Sequence, residues 1–373
     1  MTTAVGARVA VFTTRDYRRE IFRCLGYEYE DAIISEFHDG HLVKPVSDVL
    51  GTLMFRAQLW TERMGIDRFV QPVGGRTTSL GDDVDLFYAF PTSTRDILAL
   101  STVPDWRARS RFAICHLQEL WTADIPGQMP WLKPILNQFD HVICMLYNSV
   151  EPLARELDVP VSYMAPSVDA EALCPWPDPP ARVIDACAIG NMAPVTHEAL
   201  WGWGQRTGFY YRFTTESGAQ FSNDHMMHRR ALTQTLQRSK YFFTYRAKRD
   251  LTEQRRTQDE FGPRYFEGAA AGAVQLGDQV HGSPAYAENL DWEGAVIEAE
   301  FSAPDMPALI EELEAQPEWI AQVRRDNVTN CLLRHDHIYR WEDTLRIAGC
   351  APTPAMAARR ARLQALAETV VAG

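Results

Sequence analysis

Short apolar runs of strand length recur along this chain, each leading into residues with apolar positions at helical spacing. No other feature limits the fold as much. Arg8-Val9-Ala10-Val11-Phe12 leads into Tyr17, Ile21, Phe22 and Leu25. Asp85 to Phe90 is stopped by Pro91, with Thr92 or Ser93 placed to cap a helix from Thr94 to Leu100. Arg111 to Cys115, His141 to Leu146 with a helix from Glu151 to Leu157, and Val161 to Pro166 continue the series. Runs that are apolar on both faces suit strands of a buried parallel sheet, and strands alternating with helices build a doubly wound α/β structure. The series starts again at Val183 to Gly190, then Lys240 to Tyr245, Ala273 to Leu276 and Ala295 to Ile297, with helices over 305–313 and 317–333. The intervening polar and basic stretch of the first half predicts a helix over 46–63 and a loop at Gly74-Gly75-Arg76.

Between the two series lies Cys174-Pro175-Trp176-Pro177-Asp178-Pro179-Pro180, whose four prolines in six residues read as a stiff, exposed connector. A chain of 373 residues suits two α/β domains of ordinary size. The expected layout is a Rossmann-like domain over 1–172, a linker over 173–181, a second Rossmann-like domain over 182–348, and a C-terminal helix over 349–373 placed to pack back on the first domain.

Composition excludes several classes. Apolar residues at 46% and charged residues at 23% are those of a globular protein. A formal charge of −12 argues against a nucleic-acid partner, because phosphate binding leans on clustered Lys and Arg. Seven cysteines without a CxxC pair fit a reduced, cytoplasmic setting. The N-terminus lacks the basic region and apolar run of a signal peptide, and no segment approaches the ~20 apolar residues of a membrane span. Contact with a membrane surface through a few residues stays open.

Open α/β sheets bind ligands at the carboxyl ends of their strands. In the first half, Arg111 to Cys115 delivers His116, Gln118 and Glu119 there, and Trp121 and Asp124 follow in a loop. A histidine so placed is either satisfied by local hydrogen bonds or in contact with a ligand, and both readings stand. The turn Thr13-Thr14-Arg15 has no glycine, so it is neither a dinucleotide fingerprint nor a phosphate loop, and with no Gly-x-Gly-x-x-Gly after any strand a Rossmann dehydrogenase is excluded. Asp82, Asp83 and Asp85 read as a solvated turn; His225 and His228 lack a third ligand for a metal; His335 and His337 read as loop or capping residues. In the second half, Asp259 to Gly272 reads as loop then short helix, with Val274 to Leu276 as the strand that follows. Gly262-Pro263 starts the helix, Arg264 and Glu267 share a face three residues apart, and the small residues from Gly268 to Gly272 allow close packing. Free N–H groups beside an Arg form an anion site.

The spacing Asp259-x-Phe261-Gly262-x-x-x-x-Glu267-x-x-Ala270-x-Gly272 resembles the donor-site motif of glycosyltransferase family 4, the large retaining GT-B group, whose pattern is Glu-x-Phe-Gly-x-x-x-x-Glu-Ala-x-Ala-x-Gly. Arg264-x-Phe266-Glu267 is similar to the spore-maturation-type branch of group 1 glycosyltransferases. Ala165-Pro166-Ser167-Val168-Asp169 resembles the Pro-x-x-Val-Asp turn before the linker of such enzymes. His335 to Leu345 resembles their C-terminal helix, with Arg340 and Leu345 in the expected places. The resemblance covers mainly residues 160–350.

It implies the GT-B architecture, two Rossmann-like doubly wound domains facing across a cleft. It also implies a nucleoside-diphosphate sugar, UDP- or GDP-linked, as donor, with no metal and no other cofactor. By position, Asp259 stands for the family's Glu and touches the donor sugar, while Glu267 binds the ribose. The family's Arg or Lys shortly after the strand ending at Gly190 has no counterpart here, so the diphosphate cation comes from Arg264, foremost, or from Arg246, Lys248 or Arg249. Gly190 and Gly262 line the nucleotide. His116 and Glu119 face acceptor or donor from the first domain. A retaining enzyme needs no general base; an inverting one has His116, Glu119 and Asp124 as candidates. The activity implied is metal-independent hexosyl transfer to a glycan, lipid, protein or small molecule. A second reading, a non-catalytic GT-B protein that binds a sugar nucleotide or a partner glycosyltransferase, draws on the shortened Asp259 and the missing cation after Gly190.

Overall fold

The computed structural model describes residues 7–45, 49, 53–54, 56–57, 60–61, 64, 74, 76–190, 192–215, 220–249 and 257–373. Of the predicted helix over 46–63, residues 49, 53, 54, 56, 57, 60 and 61 are described and helical; the rest, like Gly75, lies outside the described residues. The chain divides into two compact units. One comprises Met1–Ala165, Phe221–His225 and Arg340–Ala358; the other comprises Pro166–Gln220, Met226–Tyr339 and Arg359–Gly373.

The first unit is built on six parallel strands: β1 (Val9–Phe12), β2 (His41–Val43), β3 (Val84–Ala89), β4 (Ser110–Leu117), β5 (His141–Cys144) and β6 (Val161–Tyr163), in the order β2-β1-β3-β4-β5-β6. Register sets Phe12 opposite Ala89, Ala89 opposite Cys115 and Leu117 opposite Cys144. Both faces of this sheet are covered, as the apolar runs require. Phe87 packs on Trp106 at 4.9 Å between ring centroids, and Trp106 on Phe139 at 4.7 Å. Its neighbour Tyr88 points to the opposite face, where it meets Trp341 at 5.2 Å. The chain crosses by α1 (Cys24–Ala32), α2 (Ile125–Leu136) and α3 (Tyr147–Glu156). Ser93 does cap the segment that follows β3, in a capping box with Asp96, but Thr94–Thr102 is a 3₁₀ rather than an α-helix.

The second unit repeats the plan with five parallel strands: β7 (Ile184–Ala188), β8 (Tyr211–Phe213), β9 (Ser239–Thr244), β10 (Val274–Gly277) and β11 (Ile297–Glu298), in the order β11-β10-β9-β7-β8. Its helices include α4 (Pro194–Thr207), α5 (His225–Gln237, whose first residue belongs to the first unit), α6 (Arg264–Ala270), α7 (Met306–Glu314) and α8 (Pro317–Arg334). Gly268 on α6 lies against the sheet so closely that a Cβ would stand 2.6 Å from the Phe242 ring and 3.0 Å from the Gln275 amide. The proline-rich run lies within this unit, where the Gln237 amide reaches the Leu173 carbonyl at 3.0 Å and Arg182 reaches those of Ser239 and Ala271 at 2.6 and 3.0 Å. His335 is the C-cap of α8, as the reading above has it, and both it and His337 are buried. His335 stacks on Phe266 at 4.2 Å and His337 hydrogen-bonds Ser167 at 2.9 Å, because the chain from α8 into α9 (His337–Ala348) passes over α6 and the 166–169 turn rather than over solvent. The last helix, α10 (Pro354–Ala372), begins in the first unit and ends in the second. Among the described residues no helix is long and apolar enough to cross a membrane.

Candidate functional site

In each sheet the chain leaves its first strand toward one edge and returns to the other side of that strand. The second unit thus has a topological switch point at the carboxyl ends of β7 and β9. Two residues beyond β7 lies Gly190, with φ +94°. The Arg264 guanidinium rests against its α-carbon: a Cβ built on Gly190 would stand 2.8 Å from Nη1 and 3.2 Å from Nη2. The cation that the residues after β7 do not provide is therefore brought to the end of β7 from α6. Glu267, one turn further along α6, is buried and accepts an ion-paired hydrogen bond from the Arg229 guanidinium on α5. The helix itself is seven residues long and starts at Arg264, with Pro263 as its N-cap and no side-chain cap.

The remaining cations of the sequence reading are disposed differently. Arg246, two residues beyond β9, donates from Nε and Nη2 to the Asp278 carboxylate at 3.0 and 3.4 Å, and from Nη1 to Asp259 at 2.6 Å. Arg249 Nε lies 3.4 Å from Asp278 and its guanidinium 5.7 Å from the Phe301 ring centroid. Both guanidinium groups, candidates for the diphosphate, lie against Asp278, a carboxylate buried at the end of β10. Lys248 lies in the turn after β9 with φ +51°. Among the described residues nothing stands within 4 Å of where a Cβ on Gly262 would lie.

In the first unit the expected residues lie at the end of β4 and in the chain that follows it. His116 is 2% exposed, its Nδ1 shares a hydrogen bond with the Tyr88 hydroxyl at 2.7 Å, and Phe90 covers it at 4.7 Å. Burial, assisted by the Arg340 charge, pushes its pKa down to about 3, so the ring is neutral at pH 7 and a weak base. The bond to Tyr88 satisfies Nδ1, while the buried Nε2 has no hydrogen-bond partner among the described residues, so both readings open for His116 stand. Glu119 is half-buried and accepts from the Trp121 indole at 2.7 Å; Asp124 is exposed at the start of α2. A group of ionisable side chains converges beside the turn after β1. Arg15 reaches Glu30 at 2.8 Å and Asp31 at 2.6 Å, and His225 closes on Asp31 at 2.6 Å. Burial raises the Glu30 pKa to about 7, while the hydrogen bond from His225 and the Arg15 charge hold Asp31 below the usual carboxylate range.

Sequence reasoning missed Arg229 and Asp278 in the second unit and the Arg15–Glu30–Asp31–His225 group in the first. Asp278 could have been found, as it directly follows a strand at the ligand-binding edge. Arg229 could not: helical spacing shows which face a residue shares, not which helix that face meets. Among the described residues no three His, Cys, Asp or Glu side chains are placed to hold a metal ion.

Residues 180–346 match a family model described as glycosyl transferase-like, so the second half of the chain carries a glycosyltransferase-like domain. No curated protein matches the sequence. Among solved structures, an alpha-glucosyltransferase in complex with UDP and a 13-mer DNA containing a central A:G mismatch is similar with a TM-score of 0.53 at 10% identity, over 92% of this chain and 99% of that one. A glycosyltransferase from Rickettsia africae is similar with a TM-score of 0.46 at 9% identity, over 92% and 98%. The first likeness and the two parallel doubly wound sheets make the fold GT-B.

Proposed function

We propose that this chain is a glycosyltransferase that moves a sugar from a nucleoside-diphosphate donor, with the donor held by the second unit. One observation carries the reading: α6 lays the Arg264 guanidinium on Gly190 at the switch point and presents Glu267 one turn away. A cation and a carboxylate at that separation on one helix suit the two polar parts of a nucleoside diphosphate. Arg264 neutralises the charge that builds on the departing diphosphate, which a planar guanidinium does in bidentate fashion. Glu267 accepts from the ribose hydroxyls, at about 1.5–3 kcal/mol for a hydrogen bond to a charged group. Asp259 holds the donor sugar. With Arg264 in that role no divalent ion is required, and the reading takes the retaining course, which needs no general base.

The alpha-glucosyltransferase named above was solved with UDP and with DNA. UDP is accordingly the first nucleotide to test here, whereas the charge of −12 points the acceptor away from nucleic acid. Fold does not select among glycan, lipid, protein and small-molecule acceptors. The decisive experiment incubates the full chain with UDP- and GDP-sugars, with and without candidate acceptors, and measures free nucleoside diphosphate. Release that persists in EDTA and disappears in Arg264→Ala is expected. Nucleoside diphosphate binding without release from any donor would favour the non-catalytic GT-B reading, and no binding at all would sink the donor site.

A further inference from the structure

Asp278 is absent from the motif and is one of the least exposed carboxylates in the second unit, with its side chain 6% exposed. It follows Gly277 at the end of β10, beside β9, and the strands approach so closely that a Cβ on Gly277 would stand 1.6 Å from the Thr244 carbonyl oxygen. Asp278 accepts from the Arg246 main-chain N–H at 3.1 Å as well as from its Nε and Nη2, which fixes backbone and side chain of that residue together. The fork of Arg246 then points outward, and its Nη1 donates to Asp259 at 2.6 Å. Exposure rises along this line, from 6% at Asp278 to 21% at Arg246 and 34% at Asp259. Here only the inner end is buried and the outer carboxylate stays accessible. The loop that carries Asp259 is held from the same side, since the Ala247 N–H donates to the Glu260 carbonyl at 2.8 Å.

We propose that Asp278 and Arg246 are positioning residues that set the Asp259 carboxylate for the donor sugar, Asp278 fixing the guanidinium and the guanidinium fixing Asp259. Resting on the donor-site reading above, this relay also accounts for an aspartate where a glutamate would reach further: a short carboxylate held by a fork is placed by its neighbour rather than by its own length. Asp278 and Arg246 touch no substrate. Their removal weakens recognition of the sugar and leaves recognition of the nucleotide intact.

The test is calorimetric, on the full chain, with UDP against UDP-glucose and GDP against GDP-mannose. Wild type is expected to bind one nucleotide sugar more tightly than its parent diphosphate. In Asp278→Asn and in Arg246→Lys that preference falls by about tenfold, the scale of one charge-assisted hydrogen bond, while the diphosphate Kd stays unchanged. Arg246→Lys keeps the charge on a side chain that is only partly buried and stands in if Asp278→Asn does not fold. An undiminished preference in the folded variants overturns the relay, as does equal loss of sugar and diphosphate binding, which marks a structural role. A wild type that binds the diphosphates without preferring either sugar overturns it too, with the donor site standing. A wild type that binds none of the four overturns the donor site itself.

Discussion

Gly190 and Glu267 carry different constraints, and each calls for its own substitution. At Gly190 a side chain meets both a φ of +94° and the Arg264 guanidinium 2.8 Å from where its Cβ would stand. Gly190→Ala therefore strains the backbone by about 1–2 kcal/mol and displaces Arg264 from the end of β7. The expected outcome is a modest drop in the urea midpoint with at least about a tenfold rise in the UDP Kd, the loss of one charged contact; an unchanged Kd would remove Arg264 from the diphosphate. At Glu267 the buried partner decides. Glu267→Ala leaves Arg229 buried without its carboxylate, and breaking such a pair costs about 3–5 kcal/mol. Glu267→Gln keeps an acceptor for Arg229 and is the cleaner probe: it should stay folded and still lose ribonucleotide affinity. Circular dichroism melts of the two variants, beside UDP titration of the Gln form, check this. Arg264 and Glu267 were legible in the sequence because they sit in one short helix. The burial of Glu267 against Arg229 was not, since that contact joins residues 38 apart.

Among the elements, most strands were readable from their apolar runs, the short β6 and β11 included, and two short ones were not. The runs behind β1, β3, β4, β5, β9 and β10 are apolar on both faces and were placed, as were the helices that became α7 and α8. β2 (His41–Val43) and β8 (Tyr211–Phe213) have three residues each, too few to show a period of two, and both lie at sheet edges where burial is partial. The carboxyl edge of β9 and β10 depends on a residue whose importance no pattern shows. Gly277 lets the two strands close to a distance that any Cβ prevents, and that closure brings Arg246 to Asp278. Gly277→Ala should part the strands and lower stability by about 3 kcal/mol, the upper end for overpacking. Urea denaturation reads the loss, and a shift under a third of that would mean the edge relaxes without cost to the pair.

On the scale of the whole molecule, the same strand plan occurs twice, the first strand flanked by the second and third, and each copy has its own hydrophobic core. What differs is the chemistry beside the switch point. The second unit brings Arg264 and Glu267 there. The first buries charge in the Arg15–Glu30–Asp31 group and keeps a neutral His116 at the end of β4. These groups make the first unit's stability depend on pH in two opposing ways. His116 has a pKa of about 3 folded against about 6.5 unfolded, so the unfolded chain binds the extra proton in between. Its contribution is complete above pH ~6.5 and is lost as pH falls through that window toward 3. Glu30 has a folded pKa of about 7, above its unfolded value, so the folded chain binds the extra proton; its contribution is present below pH ~4.5 and is lost as pH rises toward 7. Between about pH 4.5 and 6.5 the two oppose each other, and wild type should show a shallow profile there. Substitution separates them. Relative to wild type, His116→Gln should gain stability progressively as pH falls from 7 to 5, and Glu30→Gln should gain it as pH rises from 5 to 7.5. Melting temperatures across that range settle the sign for each residue, and parallel profiles for wild type and both variants would show that neither group titrates differently in the folded chain.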